Sequence, residues 1–341
     1  MPAAVAAGTR PRSGVAPPAS GGGAERNRVS RYLLTQTLSF VVTLWAVLTL
    51  VFFAVRALPG DAATILGALD ASQAQLESLR GTLGLNRSLP AQYVDYLGDL
   101  ARADLGTSLR ERRPVVRVLL DRLPVTLTLA GLAFALSLLV GGLLGLLAGL
   151  RPGGPFDRAT LLFTTVALAV PEFWFGFLLI LLFAVNLGWF PVIGLPPQGL
   201  TLAATWNLLL PAVTLAIPRA AQLARLARAR VLEERGSDYV RTARSKGLRA
   251  PSVARHIAAN ALPGVLPLVA LELGGLLTGT IVVEQVFGLP GLGLTILGSI
   301  AARDYPVVQG VTILAVTVYV LVNWLADLLQ LAADPRLRAP S

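Results

Sequence analysis

ATLLFTTVALAVPEFWFGFLLILLFAVNLGWFPVIGLPPQGLTLAATWNLLLPAVTLAIP, residues 159–218, holds a single charged side chain, Glu172. A helix that crosses the hydrocarbon core of a bilayer needs about 20 apolar residues. This run is too long for one crossing, and the Pro and Gly residues of WFPVIGLPPQG (189–199) mark a turn that splits it into two. Further runs of the same kind lie on either side, at 33–55, at 123–150, at 257–283 broken only by Glu272, and at 305–326. Six spans are therefore predicted, over 33–55, 125–150, 159–188, 206–229, 259–283 and 306–328, and the fold class is an all-α polytopic membrane protein. Composition agrees, with 54% hydrophobic and only 14% charged residues in a chain of 341.

The flanks of these runs set the domain organisation. Residues 1–30, rich in Pro, Gly, Ala and Ser, show no apolar periodicity and are expected to form a disordered tail. A cleaved signal peptide fits poorly, because the first apolar run starts late and is longer than a signal core of about 7–15 residues. The transmembrane region is expected over 31–335, with a polar insert at 56–122 in which Leu and Tyr recur at helical spacing, a second polar loop at 230–256, and a short terminus at 336–341. Arginine bias in short loops places both termini in the cytoplasm, since the inner side then receives the tail arginines, Arg151, Arg158, the basic stretch Arg219–Arg255, Arg336 and Arg338. Arg110, Arg112, Arg113, Arg117 and Arg122 go against that bias, but they belong to a loop of more than about 60 residues, where the rule loses force. The insert is then extracytoplasmic and the loop at 230–256 cytoplasmic.

Several function classes are excluded or disfavoured. The chain has no cysteine, which removes disulfides, thiolate metal sites and cysteine nucleophiles. Its one lysine, Lys246, lies in RSKGL and not in a phosphate-binding loop, so nucleotide hydrolysis is not expected here. His256 is the one histidine and has no Cys, Asp or second His near it in sequence; a solvated or packing role outweighs a metal or base role. A net charge of +10 could suggest nucleic acid, but loop arginines in a membrane protein serve topology, so lipid headgroups and not nucleic acid are the expected contact. No cofactor or metal site is expected.

The most informative polar stretch is ARARVLEERGSDYVRTARSKGLRAPSVARHIAANALPGVLP, 227–267. Ser237 suits an N-cap and Gly247 a C-terminal stop, which delimit a helix of about 9 residues, roughly 14 Å long. Pro251 suits the first turn of the next helix. Tyr239, Ala243 and Lys246 fall at i, i+4 and i+7 and would share one face able to enter a groove on another protein. Composition alone favours a solvated basic loop near anionic headgroups.

DYVRTARSKGL (238–248) followed by RHIAANALP (255–263) resembles the EAA-type loop of membrane subunits of ATP-binding-cassette (ABC) importers, specifically the dipeptide/oligopeptide/nickel permease family. LPGDAA (58–63), LGLNRSLPAQYVDYLGDLARADLGTSL (83–109), VPEFWFGFLLILLFAVNLGWFPVIG (170–194), GTIVVEQVFGLPGLG (279–293) and DPRLR (334–338) resemble that family's segments in the same order. The resemblance implies the type I ABC importer permease fold, a second homologous permease subunit, two ABC ATPase subunits and an extracytoplasmic solute-binding protein as partners, and a place in the bacterial inner membrane. It implies that Asp238, Tyr239, Thr242, Ala243, Lys246 and Gly247 form the helix that docks into the ATPase and couples its closure to the spans. Two positions depart from the family: Arg241 stands where the loop usually has glutamate, and Glu172 follows Pro171 where a small or polar residue is usual.

Glu172, Glu272 and Glu284 lie in or at the edge of spans, where ionised side chains are costly and face the bundle interior or a watery cavity. Glu284, Phe287, Pro290 and Gly291 are expected to line the translocation path or its gate. A structural carboxylate paired with an arginine, such as Arg303, is an equal alternative for Glu284. Pro171 and Pro263 could let spans bend. The function implied is a permease that provides the path for peptides or similar small solutes without chemistry of its own; the alternative is an ion-gradient-driven transporter, disfavoured by the lack of an internal repeat.

Overall fold

A computed structural model of the protein describes residues 22–57, 73–82, 84, 86–195 and 203–333. Residues 1–21, LPGDAA at 58–63 and everything from Asp334 onward lie outside the described residues, and with them most of the expected tail, one resembling segment, DPRLR and the 336–341 terminus. Every regular element among the described residues is a helix, and the one strand-like contact is an isolated bridge between Thr107 and Pro114. The all-α expectation is met.

Helix α1 covers Gly22–Ala57, so residues 22–30 are helical and not part of an irregular tail. By contacts the chain forms two compact units, Met1–Thr43 and Leu44–Ser341; the second contains the end of α1 and all later helices. Within the polar insert stand two helices, α2 (Gln73–Thr82) and α3 (Leu89–Ala101), with Pro90 in the first turn of α3 where its missing N–H does no harm. Tyr93 and Tyr96 of α3 pack on Phe52, with centroids 5.1 and 5.4 Å away, and the Arg56 guanidinium lies 3.7 Å above the same ring while Nε donates to Gln92 at 2.9 Å.

Helix α4 runs Val115–Leu150 and begins well before the span expected from 125. Hydropathy misses this extension because Arg117, Asp121 and Arg122 interrupt it, yet Val115, Val118 and Leu119 are buried against Leu292, Val307 and Val311. Helix α5 (Pro155–Ala169) and α6 (Glu172–Leu179, continued by a π turn over Ile180–Asn186) were read as one span, but they meet at 105°. The cause is local: Pro171 forces Val170 out of the helical region to φ −99, ψ 131. A 3₁₀ turn at Ala203–Leu208 leads into α7 (Leu209–Arg235), followed by α8 (Asp238–Ser245) and α9 (Ala250–Ala261). The fifth expected span is broken at Leu262–Gly264, and its continuous part is α10, Leu266–Phe287. Helices α11 (Leu292–Ala301) and α12 (Tyr305–Ala333) complete the chain.

By length and apolar composition α1, α4 and α12 can each cross a membrane, and three bent pairs, α5 with α6, α9 with the start of α10, and the end of α10 with α11, pass the same test when each is taken as one span. Helix α7 does not pass, because Arg219, Arg225, Arg228, Arg230 and Arg235 lie along it. Arg219 is tolerated because α4, α5, α6 and α10 pack on the helix and bury it, whereas Arg225 and Arg230 stay exposed. The α4–α7 contact rests on small residues four apart, Ala133, Ser137, Gly141, Gly145 and Gly149, all buried. A Cβ on Gly141 would stand 2.6 Å from the Ala220 carbonyl, and one on Gly149 2.7 Å from Val231. Without a hydrophobic driving force between helices in lipid, such close backbone approach is what holds them together.

Candidate functional site

Helix α8 has the limits that local signals predict. Ser237 occupies the N-cap position in extended geometry, although its hydroxyl donates back to the Glu234 carbonyl and not forward into the helix. Gly247 adopts φ +75, and the Gly247 and Leu248 amides close the end by donating to the carbonyls of Arg244 and Ala243 at 2.9 and 3.1 Å. Pro251 falls in the first turn of α9. The expected face does not survive intact: Val240 is buried and Ala243 packs beside it on Val231, Val253, Ile257 and Ala261, so Ala243 points into the protein. The exposed face of α8 is instead Asp238, Tyr239, Arg241, Thr242, Arg244 and Lys246 with Gly247. The Tyr239 hydroxyl donates to Glu234 at 2.9 Å, and partial burial holds its phenol above the usual range, so it stays a donor at neutral pH.

Beside this loop, Asp157 at the start of α5 accepts from Arg228 of α7 at 2.5 and 2.9 Å and from the Gly153 amide at 2.8 Å. A bidentate pair of this kind fixes the α4–α5 turn to α7.

The residues expected at the path converge, but their side chains are enclosed. Glu284 is completely buried: one oxygen accepts from the Thr126 hydroxyl at 2.6 Å, the other from the Gly293 and Leu294 amides at 2.7 and 3.1 Å. Thr126 in turn accepts from the Leu292 amide at 2.9 Å. The carboxylate thus satisfies the free N–H groups at the start of α11, and its partners are these groups and not Arg303. Phe287 belongs to the central apolar core, Gly291 is buried against the Glu284 carboxyl, where a Cβ would stand 2.3 Å away, and Pro290 is half-buried. The structure therefore assigns this group to holding the α10–α11 turn, and within this chain Glu284 and Phe287 face no open space.

Two further groups were not assembled from sequence. Asp304, 1% exposed, accepts from the Ser108 hydroxyl and from the Leu109 and Arg110 amides at 3.1 and 3.2 Å, which pins the loop before α4 to the α11–α12 turn. The second lies in mid-bundle. Arg219 of α7 donates to Glu172 of α6 at 2.6 Å and to the Gly275 carbonyl of α10 at 3.1 Å, with Glu272 of α10 at 3.4 Å from its Nε. A cavity of about 360 Å³ adjoins these side chains and Gln222. Both glutamates face the interior or water as their cost in a span requires, whereas Arg219, which sequence puts in the cytoplasmic basic stretch, lies among them. Among the described residues no group of acidic, His or Cys side chains is arranged to hold a metal ion.

Residues 141–339 match the family described as the inner membrane component of binding-protein-dependent transport systems, and residues 29–130 match the N-terminal region of such membrane components. This chain belongs to that family. Among relatives of this permease, the glutathione transport system permease protein GsiC of Pectobacterium atrosepticum is 37% identical over 309 residues, covering 90% of this chain and 98% of the relative. The oligopeptide transport system permease protein AppB of Bacillus subtilis is 36% identical over 318 residues (91% and 99%), and the di/tripeptide transport system permease protein DppB of Pseudomonas aeruginosa is 37% identical over 322 (87% and 96%). An inward-facing structure of the MetNI methionine ABC transporter shares the fold with a TM-score of 0.53 at 20% identity, covering 64% of this chain and 97% of that one. The protein is thus a multi-pass inner-membrane permease of the ABC importer type, a class that works with ATPase subunits, and the gradient-driven alternative is set aside.

Proposed function

We propose that this permease pairs with a second homologous permease to enclose a path for peptides or similar small solutes, with two ABC ATPase subunits docked on α8 and an extracytoplasmic solute-binding protein at the opposite end. In this reading both termini and the 230–256 loop are cytoplasmic, the 56–122 insert is extracytoplasmic, and the chain supplies path and transmission without a reaction of its own. Peptide as the solute class is supported by relatives named for di/tripeptide, oligopeptide and glutathione transport. Glu284, Phe287, Pro290 and Gly291 act at the edge of the path by fixing the α10–α11 turn, so that it moves with α4 as one gate.

One observation carries the docking role. Helix α8 is anchored by Val240 and Ala243 to the ends of α4, α7 and α9, while its other side chains are exposed. A short, rigidly based helix with a free polar face can transmit a push from a partner to three long helices at once. The absence of native cysteine allows a direct test. With Lys246→Cys in a complex co-expressed with candidate ATPase and partner permease subunits, a short thiol-to-amine crosslinker, which needs only a surface lysine on the partner, is expected to join this chain to an ATPase subunit, and Arg110→Cys is expected not to. Crosslinking from Arg110→Cys alone would invert the topology. Crosslinking from neither would remove the docking role.

A further inference from the structure

We propose that the mid-bundle cavity beside Arg219, Glu172 and Glu272 receives a cationic side chain of the solute, a lysine ammonium or an arginine guanidinium, as the solute passes; this rests on the permease reading above. Two carboxylates face one guanidinium there, which leaves one negative charge unbalanced. The guanidinium has little more to offer: its terminal nitrogens are committed to Glu172 and to the Gly275 carbonyl. Its Nε, on a side chain more than nine-tenths buried, makes no hydrogen bond although Glu272 lies 3.4 Å away. Glu272 is thus held near a positive charge without being capped by it.

The setting makes an unbalanced charge significant. Arg219 is ten residues from the start of α7 and sixteen from its end, or about 15 and 24 Å at 1.5 Å per residue, which places the group near the middle of the bundle. The surfaces around it are apolar and exposed in the single chain: Phe173 47%, Trp174 48% and Leu271 64%. Lipid does not tolerate a net charge at that depth, so the open side of the cavity faces water or another protein. Gly279 lets α10 close on Arg219, since a Cβ there would stand 2.7 Å from its terminal nitrogen. Space is left all the same. A cavity of about 360 Å³ far exceeds the roughly 10–15 Å³ that one water needs. A recess with one carboxylate more than its guanidinium suits a cationic ligand that comes and goes. A cation fixed on a neighbouring subunit would fill it permanently, and we commit to the solute.

The test is uptake of labelled trilysine and trialanine, each added alone, by the complete importer in proteoliposomes, read as the ratio of the two rates so that protein amount cancels. Glu272→Gln is expected to lower the trilysine to trialanine ratio by about tenfold, the equivalent of one charge-assisted contact, and Glu272→Asp to restore part of it. If Glu272→Gln stops all uptake, the ratio is read in Glu172→Gln, whose side chain is 26% exposed and less deeply packed. A ratio unchanged in either variant overturns the proposal. So does loss of the second permease from the complex in both, which would show that the cavity receives a partner's cation. Failure of the unaltered importer to take up either peptide would instead refute the peptide reading, and the ratio would then be read with lysine amide and acetamide as the simplest cationic and neutral probes.

Discussion

A methyl group at Gly145 would stand 2.6 Å from both the Ala224 carbonyl and the Ala227 Cβ, so this residue sets the distance between α4 and α7. Gly145→Leu is expected to lower stability by about 1–3 kcal/mol or more, because neither backbone can retreat. Gly142→Ala, three residues earlier on a face with nothing within 4 Å, is expected to raise it by about 0.5–1 kcal/mol through helix propensity. Thermal unfolding of the purified permease in detergent compares the two. The same logic applies to Glu284, whose two oxygens serve three donors. Glu284→Gln either turns an NH₂ toward the Gly293 and Leu294 amides, donor facing donor, or toward Thr126, whose hydroxyl proton then loses its acceptor, and the expected loss is about 1–3 kcal/mol. If Glu284 contacted solute and not structure, uptake would fall while the unfolding midpoint held. Sequence exposed the first half of this residue's story, a carboxylate where lipid forbids one, but not the second. Thr126 is 158 positions away, and no local spacing brings it to Glu284. Arg219 was hidden for a different reason: an arginine in a basic stretch looks cytoplasmic until the helix carrying it is seen to be wrapped by four others.

At the scale of single elements, legibility follows the range of the signal. Helix α8 was readable because Ser237, Gly247 and Pro251 act on their own backbone. Its buried face was not, since Val240 and Ala243 are apolar or small like many loop residues, and only the presence of Val231, Val253 and Ile257 tells which way they turn. The 105° break between α5 and α6 lies between these cases. Pro171 was visible, but hydropathy averages over a window and reports one long apolar run whether or not its axis bends. Gly247 offers a test of α8 as a working element. It is exposed, has nothing within 4 Å and sits at φ +75, so Gly247→Val meets only backbone strain, about 1–2 kcal/mol for a side chain in this region. That strain is expected to lower the unfolding midpoint by only a few degrees, while ATPase stimulation by solute-loaded binding protein falls clearly. Stimulation that stays intact would show that the turn supports the fold and not the contact with the ATPase.

Across the whole molecule, α7 is the element that joins three of the groups described. Near its end Val231 supports α8, further back Arg228 holds the α4–α5 turn through Asp157, and in mid-bundle Arg219 holds α6 and α10 through Glu172 and Gly275. The charge group makes the middle of this rod sensitive to imbalance. Arg219→Met leaves two carboxylates without their cation and is expected to destabilise the permease by about 3–5 kcal/mol, whereas the triple change with Glu172→Gln and Glu272→Gln returns close to the starting stability. Stability alone does not tell whether the rod transmits motion. Arg225 and Ala229 lie on the exposed side of α7 between the coupling loop and the charge group. Replacing both by glycine softens that stretch at a cost of about 1 kcal/mol per position without touching either end. A stiff rod moves its far end as far as its near end, and a softened one absorbs part of the displacement. The expected outcome for Arg225→Gly with Ala229→Gly is near-normal ATP hydrolysis with less solute moved per ATP, while Arg225→Ala, which removes the same charge but keeps helix stiffness, leaves the ratio intact. Equal ratios in the two variants would mean that closure reaches the path through α4 and α10, and α7 would then be a scaffold around which they move.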